Sequence, residues 1–134
     1  MNSLRISILL LIALLAITHC SYQPPIALEM AYMSAIAYES ILSIEAWNCK
    51  YCQQYKISLP KPFLNITSGV RGFTGYSVSL SKIVVSFKGA DNVNTFINEL
   101  KTAKDTYSQC SGCEVSRSFN ELYLTVKSTV LSQI

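Results

Sequence analysis

Apolar and polar residues alternate along the chain in two periods, behind one nearly unbroken apolar run at residues 6–17 (ISILLLIALLAI). After Pro24-Pro25, the residues Ile26, Met30, Met33, Ala37, Ile41 and Ile44 fall at helical spacings. They predict one amphipathic helix, entered at the prolines, with this stripe in the core. Residues 51–72 contain Pro60, Pro62, Gly69 and Gly72 and read as irregular surface chain or a short strand. Tyr76, Val78 and Leu80 then alternate with Ser77, Ser79 and Ser81, the pattern of a half-buried strand. The β-branched run Ile83-Val84-Val85-Ser86-Phe87 predicts a strand covered on both faces. A tight connection at Ser81-Lys82 makes the two strands an antiparallel pair. Lys88-Gly89-Ala90-Asp91-Asn92 interrupts the pattern, and Val93, Phe96, Ile97, Leu100 and Ala103 return to helical spacing, with Asp91 or Asn92 as cap. Cys110-Ser111-Gly112-Cys113 reads as a turn, and Phe119, Leu122, Tyr123, Val126 and Val130 mark a last helix running to Ile134. The order is helix, strand, strand, helix, helix: a mixed α/β chain with two or three strands and no internal repeat.

The first apolar run has a different meaning. It follows one basic residue, Arg5, and is followed by Thr18-His19-Cys20-Ser21 and the two prolines. A basic start, a short apolar stretch and small residues before a break describe a secretory signal peptide. A spanning helix needs about 20 apolar residues, so cleavage after Cys20 is expected, leaving 21–134 as the mature domain without a membrane span. Lipid attachment at Cys20 fits poorly because His19 stands where a small residue belongs.

Composition changes under this reading. The 134 residues are half hydrophobic and 14% charged, with a formal charge of +3. Loss of Arg5 leaves 10 basic and 8 acidic residues and a charge of +2. The basic residues are scattered, without the concentrated footprint that nucleic-acid binding needs. The single histidine, His19, is removed as well.

Four cysteines remain, as the pairs Cys49/Cys52 and Cys110/Cys113. Behind a signal peptide an even count favours disulfides. Three connectivities are open, and bridges between the pairs would close loops of about 60 residues, worth on the order of 4 kcal/mol each. A four-thiolate zinc site is the weaker alternative, and a thioredoxin-like redox pair weaker still. No metal or other cofactor is expected. Asn65-Ile66-Thr67 is an N-glycosylation acceptor.

Four features, in order, resemble the secreted fungal-type (class 3) lipases, which have an α/β-hydrolase fold. They are residues 31–38 leading to Trp47-Asn48-Cys49-Lys50-Tyr51-Cys52; Gly75-Tyr76-Ser77-Val78 before residues 82–90; residues 94–100; and Cys110-Ser111-Gly112-Cys113-Glu114-Val115 with Phe119 and the last helix. The resemblance covers roughly residues 25–134. It implies a partial α/β-hydrolase fold and a secreted ester hydrolase acting on acylglycerols. It also makes residues 83–87 the strand that ends in the oxyanion loop, here Lys88-Gly89-Ala90. The family usually has Arg-Gly followed by Thr or Ser there. Ala90 keeps the backbone N–H and loses the hydroxyl, and loss of one oxyanion donor can cost about 10²–10³ in rate. Lys88 keeps the charge but loses the planar fork of arginine. Where the family commonly has Val-His-x-Gly-Phe, this chain has Val115-Ser116-Arg117-Ser118-Phe119.

The family's next element would be a strand ending in G-x-S-x-G, with Asp and His later. No G-x-S-x-G occurs in the chain, and Gly72-Phe73-Thr74-Gly75 is one residue short of a Thr version. Residues 21–134 contain no histidine, so neither Ser-His-Asp nor Cys-His chemistry can be assembled. Glu99, Asp105, Glu114 and Glu121 show no pairing for glycoside chemistry and read as solvated surface. The expectation is the N-terminal part of a lipase, truncated before the nucleophile and inactive as it stands. The alternative is a short secreted lipase-like module that binds lipid or a protein partner. Either way, residues 83–87 or their neighbours would present an unpaired apolar sheet edge.

Overall fold

The computed structural model describes residues 22–90, 92, 97 and 103–134. The predicted signal peptide and most of the predicted helix at 93–103 lie outside the described residues.

Two helices open the fold, α1 (Pro24–Ile36) and α2 (Ile41–Glu45). The single stripe expected here is broken at Ala37–Ser40, where Tyr38 N–H and Glu39 N–H donate to Ala35 and Ile36 carbonyls. Ser40 then starts α2 afresh, its Oγ accepting from Ser43 N–H at 3.1 Å, a local cap that competes with helix continuation. The break re-aims the chain. Met33, Ile36, Ala37 and Ile44 enter the core, whereas Ile26 and Met30 are about 40% exposed and Glu29 is buried instead.

The region 51–72, read as irregular surface chain or a short strand, contains a strand of eight residues. A short 3-10 turn (Cys52–Gln54) leads into β1 (Ile57–Leu64), which pairs antiparallel with β2 (Arg71–Ser77). Pro60 and Pro62 are tolerated because β1 lies at one side of the sheet and the register shifts between Ser58 and Lys61, where Leu59 adopts φ 52°. β2 pairs antiparallel with β3 (Lys82–Phe87), completing a three-stranded sheet of order β1-β2-β3. The tight turn expected near Ser81 is present, with Ser81 at φ 53°.

One sheet face packs on α1 and α2 through Ile57, Phe73 and Val84, with Cys49 and Cys52 in the same core. The Trp47 ring meets Phe73 edge-on at 5.5 Å between centroids. The alternation expected over 76–81 is inverted here. Ser77 is buried, Tyr76 and Val78 are exposed, and the strand ends at Ser77. The reason is Glu29. Its buried carboxylate accepts from Ser77 Oγ at 2.6 Å and from Ser79 Oγ at 2.7 Å, so the serines have a polar partner under the helix.

A second ribbon pairs β4 (Lys104–Thr106) with β5 (Glu114–Ser116). It is followed by α3 (Arg117–Leu124) and α4 (Lys127–Gln133) rather than one continuous helix. Val126 and Val130 bury against Phe63 and Val70 on the other face of the sheet. Gln133 fixes α4 there, donating to Pro62 O and accepting from Thr74 Oγ1 at 3.0 Å. Because α4 covers β1 and β2, β3 is not sandwiched as expected: Ile83, Val85 and Phe87 are 57%, 38% and 41% exposed.

Candidate functional site

The structure places Lys88, Gly89 and Ala90 directly after β3, at one wall of an apolar cleft of about 560 Å³. Opposite them stand Phe119, Leu122 and Tyr123 of α3, and the third wall is Ser68-Gly69-Val70 of the β1–β2 connection. Phe87 leans into the cleft from the end of β3, its ring 5.2 Å from that of Phe63. Phe119, Leu122 and Tyr123, read as part of one last helix with Val126 and Val130, form a wall instead, because the break before α4 turns only the two valines inward.

Local sequence holds these walls. In the β1–β2 connection Asn65 Oδ1 accepts from Ser68 N–H at 2.9 Å, and Asn65 backbone groups bond Val70 and Gly69 at 2.8 Å. Gly69 supplies the φ of 73° that closes the turn. The turn is tied to the α3–α4 junction, where Asn65 Nδ2 donates to Thr125 O at 3.3 Å and the hydroxyls of Ser68 and Thr125 lie 3.0 Å apart. The candidate glycosylation residue Asn65 is half-buried and its side-chain nitrogen hydrogen-bonded beside the cleft, with Ile66 and Thr67 exposed.

The 88–90 loop is braced from below. Lys88 N–H donates to Arg71 O at 2.9 Å, and Lys88 Nζ stands 5.7 Å from the Tyr38 ring centroid. Arg71 Nη2 donates to Tyr38 O at 2.9 Å. Gly89 passes so close to Tyr38 that an added Cβ would fall 2.7 Å from its hydroxyl oxygen. Tyr38 and Arg71 escaped the sequence reading. Tyr38 looked like one residue of a continuous helix, and nothing in the pattern linked it to a loop 50 positions later.

The cysteines settle the connectivity left open by sequence. Cys49 bonds Cys52 and Cys110 bonds Cys113, each within its own pair. Bridges between the pairs, and a zinc site using free thiolates from both, are corrected by this pairing. Among the described residues no cluster of His, Cys, Asp and Glu could hold a metal ion. No helix among them is long and apolar enough to cross a membrane. The expected turn at Cys110–Cys113 caps the β4–β5 ribbon, with Tyr107 N–H donating to Cys113 O at 2.9 Å and Gly112 at φ 75°.

An exposed ion pair ties β4 to the first residue of α3. Arg117 Nε and Nη2 donate to Asp105 at 2.8–3.1 Å. These hydrogen bonds, helped by the guanidinium charge, hold the Asp105 carboxyl below its ordinary value of 3.8. The same bonds raise Arg117. Glu114 lies 3.9 Å from Lys104 Nζ on the exposed ribbon, and Glu99 lies outside the described residues.

No family model matches the chain, and no curated protein matches its sequence. Solved structures do. The native propeptide complex of the Rhizomucor miehei lipase superposes with a TM-score of 0.65 at 21% identity, covering 84% of this chain and 38% of that one. The lipase of Rhizopus microsporus var. chinensis gives 0.65 at 22% identity, covering 84% and 41%. The fold is that of the fungal lipases. A triacylglycerol lipase whose catalytic centre is formed by a serine protease triad gives 0.62 at 24% identity, covering 84% of this chain and 46% of that one. The lipase-like fold here thus spans less than half the length of these chains, and the likeness is one of fold.

Proposed function

We propose that residues 21–134 are the N-terminal part of a secreted triacylglycerol lipase-like ester hydrolase, with residues 1–20 its signal peptide. In this reading Lys88-Gly89-Ala90 is the oxyanion loop, and the apolar cleft beside it receives part of an acyl-ester substrate. The observation that carries the reading is the position of this loop, at the end of β3 and on the wall of an apolar cleft, in a lipase-like fold.

The chemistry available to this stretch alone is limited. An acyl-enzyme mechanism needs a nucleophile, a base and an oxyanion site. Residues 21–134 supply no histidine and no G-x-S-x-G elbow. They contribute the third part only: backbone N–H groups at the loop, held in place by Tyr38 and Arg71. With Ala90 in place of a hydroxyl-bearing residue, the complete site would run about 10²–10³ below one with the full donor set.

The test is hydrolysis of p-nitrophenyl esters by purified residues 21–134, beside a version extended with whatever the transcript encodes downstream of Ile134. The short form shows no turnover above background. An extended form containing a G-x-S-x-G elbow shows activity that a serine-directed reagent abolishes. Serine-reagent-sensitive activity in the short form would overturn the assignment. A stop codon at Ile134 in full-length transcripts would favour the second reading, a secreted non-catalytic module that takes lipid or a protein partner. The apolar lining of the cleft supports that reading.

A further inference from the structure

Asn65-Ile66-Thr67 is the one Asn-x-Ser/Thr sequence in the chain, with no proline in its middle. It opens the β1–β2 connection, whose turn is residues 66–68. An N-glycan at such a site needs an amide hydrogen to displace, a free hydroxyl two residues on, and a chain that is open when the sugar arrives. The side-chain amide has two N–H groups. Asn65 Nδ2 gives one to Thr125 O at 3.3 Å, and the other has no acceptor among the described residues. Replacing that second hydrogen by a sugar carbon leaves a secondary amide. The amide keeps one N–H for Thr125 O, and its Oδ1 still accepts from Ser68 N–H. Thr67 is exposed and its hydroxyl makes no hydrogen bond among the described residues, while Ile66 beside it is 88% exposed.

Order of synthesis supplies the open chain. Thr125 lies 60 positions after Asn65. Val126 and Val130, which bury against Phe63 and Val70 at the two ends of the connection, come later still. At about 5–20 residues per second these anchors follow Asn65 by roughly 3–12 s. Until then the turn is held by its own bonds, and such locally held segments open readily. Any chain that follows residue 134 emerges later again. We infer that Asn65 carries an N-linked glycan, added to the nascent chain in the secretory pathway before the turn docks on the α3–α4 junction. In the transfer the C1–O bond of a polyprenyl-diphosphate-linked oligosaccharide breaks and its electron pair leaves with the diphosphate. Nδ2 forms the new bond to C1, and the displaced amide hydrogen leaves as a proton. The proposal rests on the secretory part of the reading above and uses neither the cleft nor the 88–90 loop.

The test is expression in a eukaryotic host that carries the N-glycosylation machinery. One form is the full chain with its own residues 1–20, and the other is residues 21–134 behind a host signal sequence. Protein from cells and medium is weighed by mass spectrometry before and after peptide N-glycosidase. Both forms exceed the mass of the polypeptide, and the enzyme removes the excess and leaves aspartate at position 65. Thr67→Ala, which touches neither Asn65 bond, abolishes the excess, and Thr67→Ser retains it. Unmodified protein in both forms overturns the proposal, as does an excess that survives the enzyme or the Thr67→Ala substitution. A glycan behind the host signal alone sinks the secretory reading of residues 1–20 and this proposal with it, while the cleft assignment stands.

Discussion

Glu29 is the residue whose removal tests the packing scheme most sharply. Its side chain is 3% exposed, on a helix with no acidic residue in its first turn. The carboxylate receives Ser77 Oγ at 2.6 Å and Ser79 Oγ at 2.7 Å from each of its oxygens. Ser77 Oγ also accepts from Leu80 N–H at 3.2 Å, so the carboxylate holds the β2–β3 turn against α1. Glu29→Ala takes the carboxylate acceptor from the fully buried Ser77 hydroxyl, leaving it Ser79 Oγ at 3.0 Å, and opens a void beneath the helix. A hydrogen bond to a charged group is worth about 1.5–3 kcal/mol, and the two bonds share one acceptor, so the expected loss is on the order of 2–4 kcal/mol. For a domain of this size each kcal/mol lowers Tm by roughly 3–6 °C. Glu29→Gln keeps the shape and one acceptor oxygen and costs about 1 kcal/mol. Urea unfolding followed by the single tryptophan, Trp47, reads both variants. In a cycle with Ser77→Ala the coupling reaches about 1 kcal/mol or more. A Glu29→Ala protein within about 0.5 kcal/mol of the parent, or additive behaviour in the cycle, would refute the claim that this contact sets the buried face of β2.

Three further outcomes follow from particular contacts. Non-reducing mass spectrometry shows a loss of four hydrogens, and peptide mapping links Cys49 to Cys52 and Cys110 to Cys113; each bridge closes so short a loop that its removal costs on the order of 2 kcal/mol, about half the value for bridges between the pairs. The Asp105 carboxyl titrates below 3.8 in an NMR pH series, so the Arg117 contact is complete above that value and is lost as pH falls through the lower folded value; Arg117→Lys, without the fork, moves the titration back up. Gly72→Ala forces a Cβ into the Ser86 carbonyl and the Phe63 ring and destabilises by about 3 kcal/mol or more in thermal unfolding, whereas Gly89→Ala meets only the movable end of Tyr38 and changes Tm little.

The elements that could be read from sequence were those in which local pattern and tertiary packing agree. The run 83–87 is a strand because β-branched residues suit the pleat, and the turn at Cys110–Cys113 is where glycine allows it. The misread elements all depend on a distant partner. Ser77 is buried because Glu29, 48 positions away, reaches it, so a pattern that normally puts serine outward runs backwards. Residues 57–64, where irregular chain and a short strand were both open, form a strand despite two prolines because β2 accepts the shifted register. The continuous helical stripes at 26–44 and 119–134 are both broken, at Ser40 by a side-chain cap and before Lys127 where Val126 becomes the N-cap residue of α4. The same logic governs the site. Lys88-Gly89-Ala90 was visible as an interruption after a strand, but its supports belong to other elements: Arg71 bonds it through a backbone carbonyl, which leaves no mark in a residue pattern, and Tyr38 meets it through a ring and hydroxyl from 50 positions away. Apolar periodicity also could not distinguish a residue that fills a core from one that lines a cleft, because Phe119, Leu122 and Tyr123 satisfy it equally in either role. What separates the two is the kink between α3 and α4, which turns the last valines onto the sheet and leaves the aromatic wall facing the oxyanion-loop candidate.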